Sequence, residues 1–135
     1  MRVGAIFIPV LQLDESISWY SDSFGLEVID NWGAGATLRF AHGEALVALI
    51  HVDTLSPLQF QARNDQNNVY YHFETDDMEE TIEILKGKGI TIHNYLDHGF
   101  MTELFIQDPS GNTIAFFCES SNSPCYQHAT GKISW

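Results

Sequence analysis

Positive charge is scarce in this chain: six Lys and Arg stand against 18 Asp and Glu in 135 residues, a formal net charge of −12. Proteins hold a phosphate backbone by displacing counterions with basic side chains, so nucleic acid is excluded as a partner. No apolar run approaches the ~20 residues that a membrane-spanning helix needs, and no membrane association is expected. Cysteine occurs only twice, at 118 and 125. The opening MRVGAIFIPVLQLDES has no small-residue cleavage site, and its β-branched residues read as a strand rather than a secretory leader. Cys118 and Cys125 are therefore expected to be reduced, in a cytoplasmic protein. The sequence also lacks a GxGxxG or GxxxxGKS/T phosphate loop, a GxSxG nucleophile elbow and a His-x-x-x-His pair on a helix.

What is present is a core-forming composition. Apolar residues make up 44% and aromatics 13%, in a length suited to one domain. GAIFIPVLQL (4–13) has strand-like density. DESISWYSDSFG follows, with Asp14 as N-cap, Ile17, Tyr20 and Phe24 on one side of a helix, and Gly25 to close it. LEVIDNW, ATLRFA and ALVALIHV then read as three strands. After the polar connector DTLSPLQFQARNDQN the order recurs: NVYYHFET as strand, DDMEETIEILKGKG as helix with Asp76 and Glu79 at capping-box spacing, then ITIHNY, MTELFIQ and TIAFFCES. Corresponding landmarks lie 65 (Ala5 to Tyr70), 64 (Gly25 to Gly89) and 68 (Gly43 to Gly111) residues apart, so the chain reads as a duplication. Each half makes a small sheet with a helix on one face.

With DESISWYSDSFGLEV after the first strand, DDMEETIEILKGKGI after the fifth and DPSGNTIAFF leading into the last, the sequence resembles the glyoxalase/bleomycin-resistance family, also called the vicinal oxygen chelate superfamily. The resemblance covers about residues 3–119. It implies an α+β fold of two βαβββ modules in one chain, forming a cupped mixed sheet with helices on its outer face. The expected division is a single domain with module 1 at 3–52, connector 53–67, module 2 at 68–119 and a C-terminal extension, 120–135, anchored by Tyr126 or Trp135. The resemblance further implies a homodimer. In metal-using members, inward residues on the first and last strands of each module supply His, Gln or Glu. Counting from local landmarks puts Ala5, Val47, Tyr70 and Ala115 at those positions. Methyl and isopropyl groups offer a divalent cation no donor, and a phenol is a poor one, so no metal or other cofactor is expected.

Alternation along the strands, with the family's facing, puts Ile6, Ile8, Val10, Leu46, Ala48, Ile50, Val69, Tyr71, Phe73, Ile114, Phe116 and Cys118 under the helices. The concave face then carries Ala5, Phe7, Val47, Leu49, His51, Tyr70, His72, Glu74, Ala115, Phe117 and Glu119. From this set Phe7, Val47, Leu49, Tyr70, His72, Ala115 and Phe117 are the expected ligand-binding residues, because an apolar floor with sparse polar groups suits a small organic molecule. His72, His51 and Glu119 are the candidates for acid/base work or a displaced metal site. His42, His93, His98 and His128 read as surface residues, and DPSGN as a structural turn.

Three functions compete on these grounds. The first is a metal-independent protein that binds and sequesters a small organic molecule such as an antibiotic. The second is a metal-dependent lyase, isomerase or dioxygenase with displaced ligands. The third is a dimeric interaction module whose aromatics form an interface.

Overall fold

A computed structural model describes residues 1–126, which form two compact units. The first unit is 1–57 together with the turn 108–112; the second is 58–107 with 113 onward. His128 and Trp135 lie outside the described residues.

In the first unit β1 (Ala5–Val10) leads into α1 (Leu13–Phe24), then β2 (Glu27–Asn31), β3 (Gly35–Arg39) and β4 (Leu46–His51). The sheet order is β1-β4-β3-β2, with β1 parallel to β4 and the other pairs antiparallel. Helix α1 begins one residue before the expected cap. Gln12 holds the N-cap position without a side-chain bond, while Asp14 and Glu15 lie in the first turn, where negative charge favours the helix dipole. Gly25 closes α1 as expected, in the left-handed region (φ 68°) with its N–H donating to the Ser21 carbonyl. The turn DPSGN belongs to this unit. Asp108 Oδ1 accepts from the backbone N–H of Ser110 (3.0 Å) and Asn112 (2.8 Å), and Oδ2 accepts from the Tyr20 hydroxyl at 2.8 Å. Asn112 Nδ2 donates to the Pro9 carbonyl at 2.7 Å, and the Leu11 N–H donates to Ser110 Oγ. Tyr20, Asp108 and Asn112 are all buried, so the turn is a polar latch between β1 and α1, the structural part its sequence predicts.

The second unit repeats the pattern. β7 (His72–Glu74) leads to α2 (Met78–Gly87), β8 (Asn94–Asp97), β9 (Met101–Gln107) and β10 (Thr113–Glu119), in the order β7-β10-β9-β8 with β7 parallel to β10. Each sheet therefore pairs its first strand with its last, the signature of one topology used twice. The cap of α2 is Asp77, one residue later than expected, its carboxylate accepting from the Glu80 N–H at 3.0 Å. The face bearing Ile114, Phe116 and Phe73 is buried, with Phe73 and Phe116 in edge contact at 5.6 Å.

Two expectations change. The polar connector contains a hairpin, β5 (Gln59–Gln61) with β6 (Asn67–Val69). The expected continuous strand over NVYYHFET is interrupted at Tyr70 and Tyr71, because its first part pairs with β5 and its last part with β10. One straight strand cannot serve two separate ladders.

Candidate functional site

Register fixes which side chains share a face, because partners across a ladder point the same way. In the first unit Phe7 sits opposite Ala48 and Ile8 opposite Leu49. Val47 and Leu49 therefore lie on the face of Ile6, Ile8 and Val10, where Val47 is 2% and Leu49 0% exposed. This corrects their expected facing, and with it that of His51, which pairs with Val10 at the exposed end of β4. Leu46, Ala48 and Ile50 accompany Ala5, Phe7 and Pro9 instead. Counting from landmarks within one strand fixes that strand's alternation, not its offset from a neighbour.

In the second unit β7 and β10 keep the expected facing, while Val69, expected under the helices, belongs to the separate β5–β6 ladder and lines a cleft with Asn94, Phe105 and Thr113. One row across the four-stranded sheet reads His72, Ala115, Phe105, Asn94; the next reads Glu74, Phe117, Glu103, Leu96. His72 and Phe117 approach with ring centroids 6.1 Å apart, and Ala115 is fully buried between His72 and Phe105. Tyr70 is exposed and stacks obliquely on Phe60 of the hairpin, centroids 5.2 Å apart.

Two polar clusters stand on this face. Glu103, 9% exposed, extends one carboxylate oxygen to His98 Nε2 at 2.6 Å and the other to His72 Nδ1 at 3.4 Å. A carboxylate accepts, so the short contact puts a proton on His98 Nε2. Sequence alone weighs His72 together with His51 and Glu119; the partners in the fold are Glu103 and His98, the latter exposed as expected. Both His98 and Glu103 lie in LDHGFMTE. Gly99 (φ 84°) turns β8 into β9, the His98 N–H meets the Met101 carbonyl, and residues 98 and 103 come to the same end of the hairpin. The second cluster is acidic. Burial, then the nearby charges of Asp76 and Glu119, push the Glu74 carboxyl up to about 7. Glu119 has one buried oxygen with no hydrogen-bond partner among the described residues. On the opposite face of β10, burial pushes the Cys118 thiol above its ordinary range, opposed by a backbone hydrogen bond from Met78.

Beside the first row an open cleft of about 440 Å³ lies against the hairpin. Its apolar wall is Val69, Leu96 and Phe105. Its polar wall is Gln59, Gln66, Asn67, Asn68, Asn94 and Thr113, so among the described residues no charged side chain lines it. Thr113 is two residues before Ala115 and shares its face, which joins the cleft to the centre of the sheet.

Residues Ala5, Val47, Tyr70 and Ala115, at the positions that the resemblance gives to a divalent cation, do not fit one. They bring two methyls, an isopropyl and an exposed phenol, and Ala115 is walled in by His72 and Phe105. Among the described residues no group of three or more His, Cys, Asp or Glu is placed to hold an ion. Glu103 is instead occupied by hydrogen bonding.

These features define a class: a two-module α+β protein that sets one βαβββ topology twice and presents a side-chain-lined face from the second sheet. The chain belongs to the Glyoxalase/Bleomycin resistance protein/Dioxygenase superfamily, whose family model matches residues 2–116. It is 26% identical over 124 residues to biphenyl-2,3-diol 1,2-dioxygenase 2 of Rhodococcus globerulus, covering 91% of this chain and 65% of that protein. The chain thus spans about two thirds of the length of that curated relative. Among solved structures, lactoylglutathione lyase from Agrobacterium tumefaciens is similar with a TM-score of 0.66 and 20% identity, over 86% of this chain and 92% of the lyase. TnmS3, an antibiotic binding protein from Streptomyces sp. CB03234, is similar with a TM-score of 0.66 and 15% identity, over 89% of this chain and 97% of TnmS3. At these identities the structural likeness establishes the shared fold.

Proposed function

We propose that the chain binds a small organic molecule on the second unit, at the cleft beside Ala115, and acts by holding it rather than by turning it over on a metal. One observation carries the reading: an uncharged, drug-sized cleft adjoins the position where the family would supply a metal-binding donor and this chain has a buried methyl group. His72, Phe117 and Tyr70 are the neighbouring side chains that a larger ligand would meet. The antibiotic binding protein TnmS3 offers a precedent for the fold in a binding role.

Thermal shift and calorimetry against a panel of glycopeptide and aromatic compounds test it. A saturable stabilising response is expected from at least one compound class, while Zn, Ni, Mn and Fe salts leave Tm unchanged. A transition metal retained stoichiometrically through purification, with Tm rising on its readdition, overturns the reading.

A second reading is favoured by the 2.6 Å contact of Glu103 with His98, which resembles a carboxylate orienting an imidazole for proton transfer. It requires a reaction that His98→Gln abolishes while ligand affinity is kept. The free thiols of Cys118 and Cys125 accord with a cytoplasmic setting, and a homodimer is proposed as the assembled form.

A further inference from the structure

Two hydrogen bonds narrow the chemistry of the ligand, an inference that rests on the binding reading above. Asn68 Oδ1 accepts from the Val69 N–H at 2.8 Å, and Asn94 Oδ1 accepts from the Tyr95 N–H at 2.9 Å. A backbone N–H can be met only by the oxygen of a carboxamide, so the orientation of both side chains is fixed by chemistry. Each oxygen then has one acceptor site in use, and each NH2 group keeps both of its donors. Opposite them Gln59 Nε2 donates to Thr113 Oγ1 at 2.9 Å, which uses the threonine oxygen as acceptor and leaves its O–H as a donor. Gln59 Oε1 and the carboxamides of Gln66 and Asn67 complete the polar wall, adding neutral acceptors and donors.

The cleft is thus lined by neutral hydrogen-bonding groups, and among the described residues it carries no formal charge although the chain carries −12. Each class of ligand can be weighed against this lining. A cation would give up water for a wall with no carboxylate among the described residues. An anion would find donors but no counter-charge, inside the field of a strongly acidic protein. A neutral molecule with carbonyl or ether oxygens loses little on desolvation and satisfies donors that would otherwise stay with water. Phe105, Leu96 and Val69 supply an apolar wall for its hydrocarbon body.

We infer that the cleft between the β5–β6 hairpin and the β8–β9 edge selects an uncharged organic ligand with one apolar face and a hydrogen-bonding group met by the carboxamides of Asn68 and Asn94. The acidity of the chain is then a property of its solvated surface and not a lure for cationic compounds.

The test uses a matched set of probes on the full chain: N,N-dimethyl-2-naphthamide, 2-naphthoate, 2-naphthylmethylammonium and naphthalene, followed by the side-chain NH2 resonances of Asn68 and Asn94 in 15N–1H spectra. The neutral amide is expected to shift both NH2 pairs and to bind about tenfold more tightly than either charged probe, the scale of one well-made hydrogen bond. Asn68→Asp and Asn94→Asp keep the oxygen that caps the backbone N–H while exchanging the donor for an acceptor. Each is expected to weaken the amide about tenfold and to strengthen the ammonium, with unchanged backbone spectra elsewhere. An ammonium or carboxylate that binds the parent chain as well as the amide does overturns the inference and leaves the binding reading standing. So does amide binding that moves His72 and Phe117 resonances but neither asparagine. If no probe of the set and no member of the broader compound panel shifts any resonance, both fall.

Discussion

Glu74 sits on β7 opposite Phe117, with Asp76 and Glu119 close enough to oppose its ionisation, and its carboxyl is held at about 7 against 4.5 for an unperturbed group. Between those two values the folded chain binds more protons at this side chain than the unfolded chain does. Stability contributed by Glu74 is therefore fully present below about pH 4.5 and is lost as pH rises through about 7. Glu74→Gln is expected to flatten this part of the Tm-versus-pH curve and to stabilise the chain at pH 8. Because the side chain is exposed by area, solvent screening keeps the gain below about 1 kcal/mol. A carboxyl carbon titration of Glu74 with its midpoint at an ordinary glutamate value would remove the basis for the effect. The buried Glu119 oxygen beside it is the reason for expecting the perturbation to be local rather than a consequence of the net charge.

At the scale of elements, the DPSGN turn shows how a short polar stretch fixes the geometry around it. Gly111 adopts φ 89° and donates its N–H to the Asp108 carbonyl, while an added Cβ would meet nothing within 4 Å. Gly111→Ala is expected to cost about 1–2 kcal/mol through backbone strain alone. The reading is the urea midpoint, with Gly4→Ala as the control, since Gly4 has open space and no positive φ. Equal midpoints for the two variants would show that the latch of Tyr20, Asp108 and Asn112 sets no demand on the turn.

Elements like β9 and β10 are legible in the sequence because apolar residues crowd both faces of a central strand. The hairpin β5–β6 is not: Gln59, Phe60, Gln61 and Asn67, Asn68 are mostly polar and solvent-facing, so alternation gives no signal. The amide density of QFQARNDQNN was the available clue, and it marks the cleft. The duplication and the facing of β7 and β10 follow from local patterning. The offset between β1 and β4 does not, since it depends on pairing across 41 residues (Phe7 to Ala48). The His98–Glu103–His72 cluster likewise needed a turn geometry that residue types alone do not give.

For the whole molecule, charge and exposed apolar surface act in opposite directions. β2 pairs only with β3 among the described residues, so one side of it is an open sheet edge, and Val28, Ile29 and nearby Trp32 are each close to half exposed. A net charge of −12 repels a second copy. If two chains associate through this edge, the attraction is apolar and hydrogen-bonded while the repulsion is ionic, and only the latter is screened by salt. Raising ionic strength from 0.01 to 0.15 M shortens the Debye length from about 30 Å to about 8 Å. Light scattering is therefore expected to show the dimer fraction increasing with salt, and Ile29→Lys to return the chain to monomer without lowering Tm, because Ile29 is already exposed. A dimer that dissociates as salt is added would place ion pairs at the interface and rule out the β2 edge, and one unaffected by Ile29→Lys would locate the contact elsewhere.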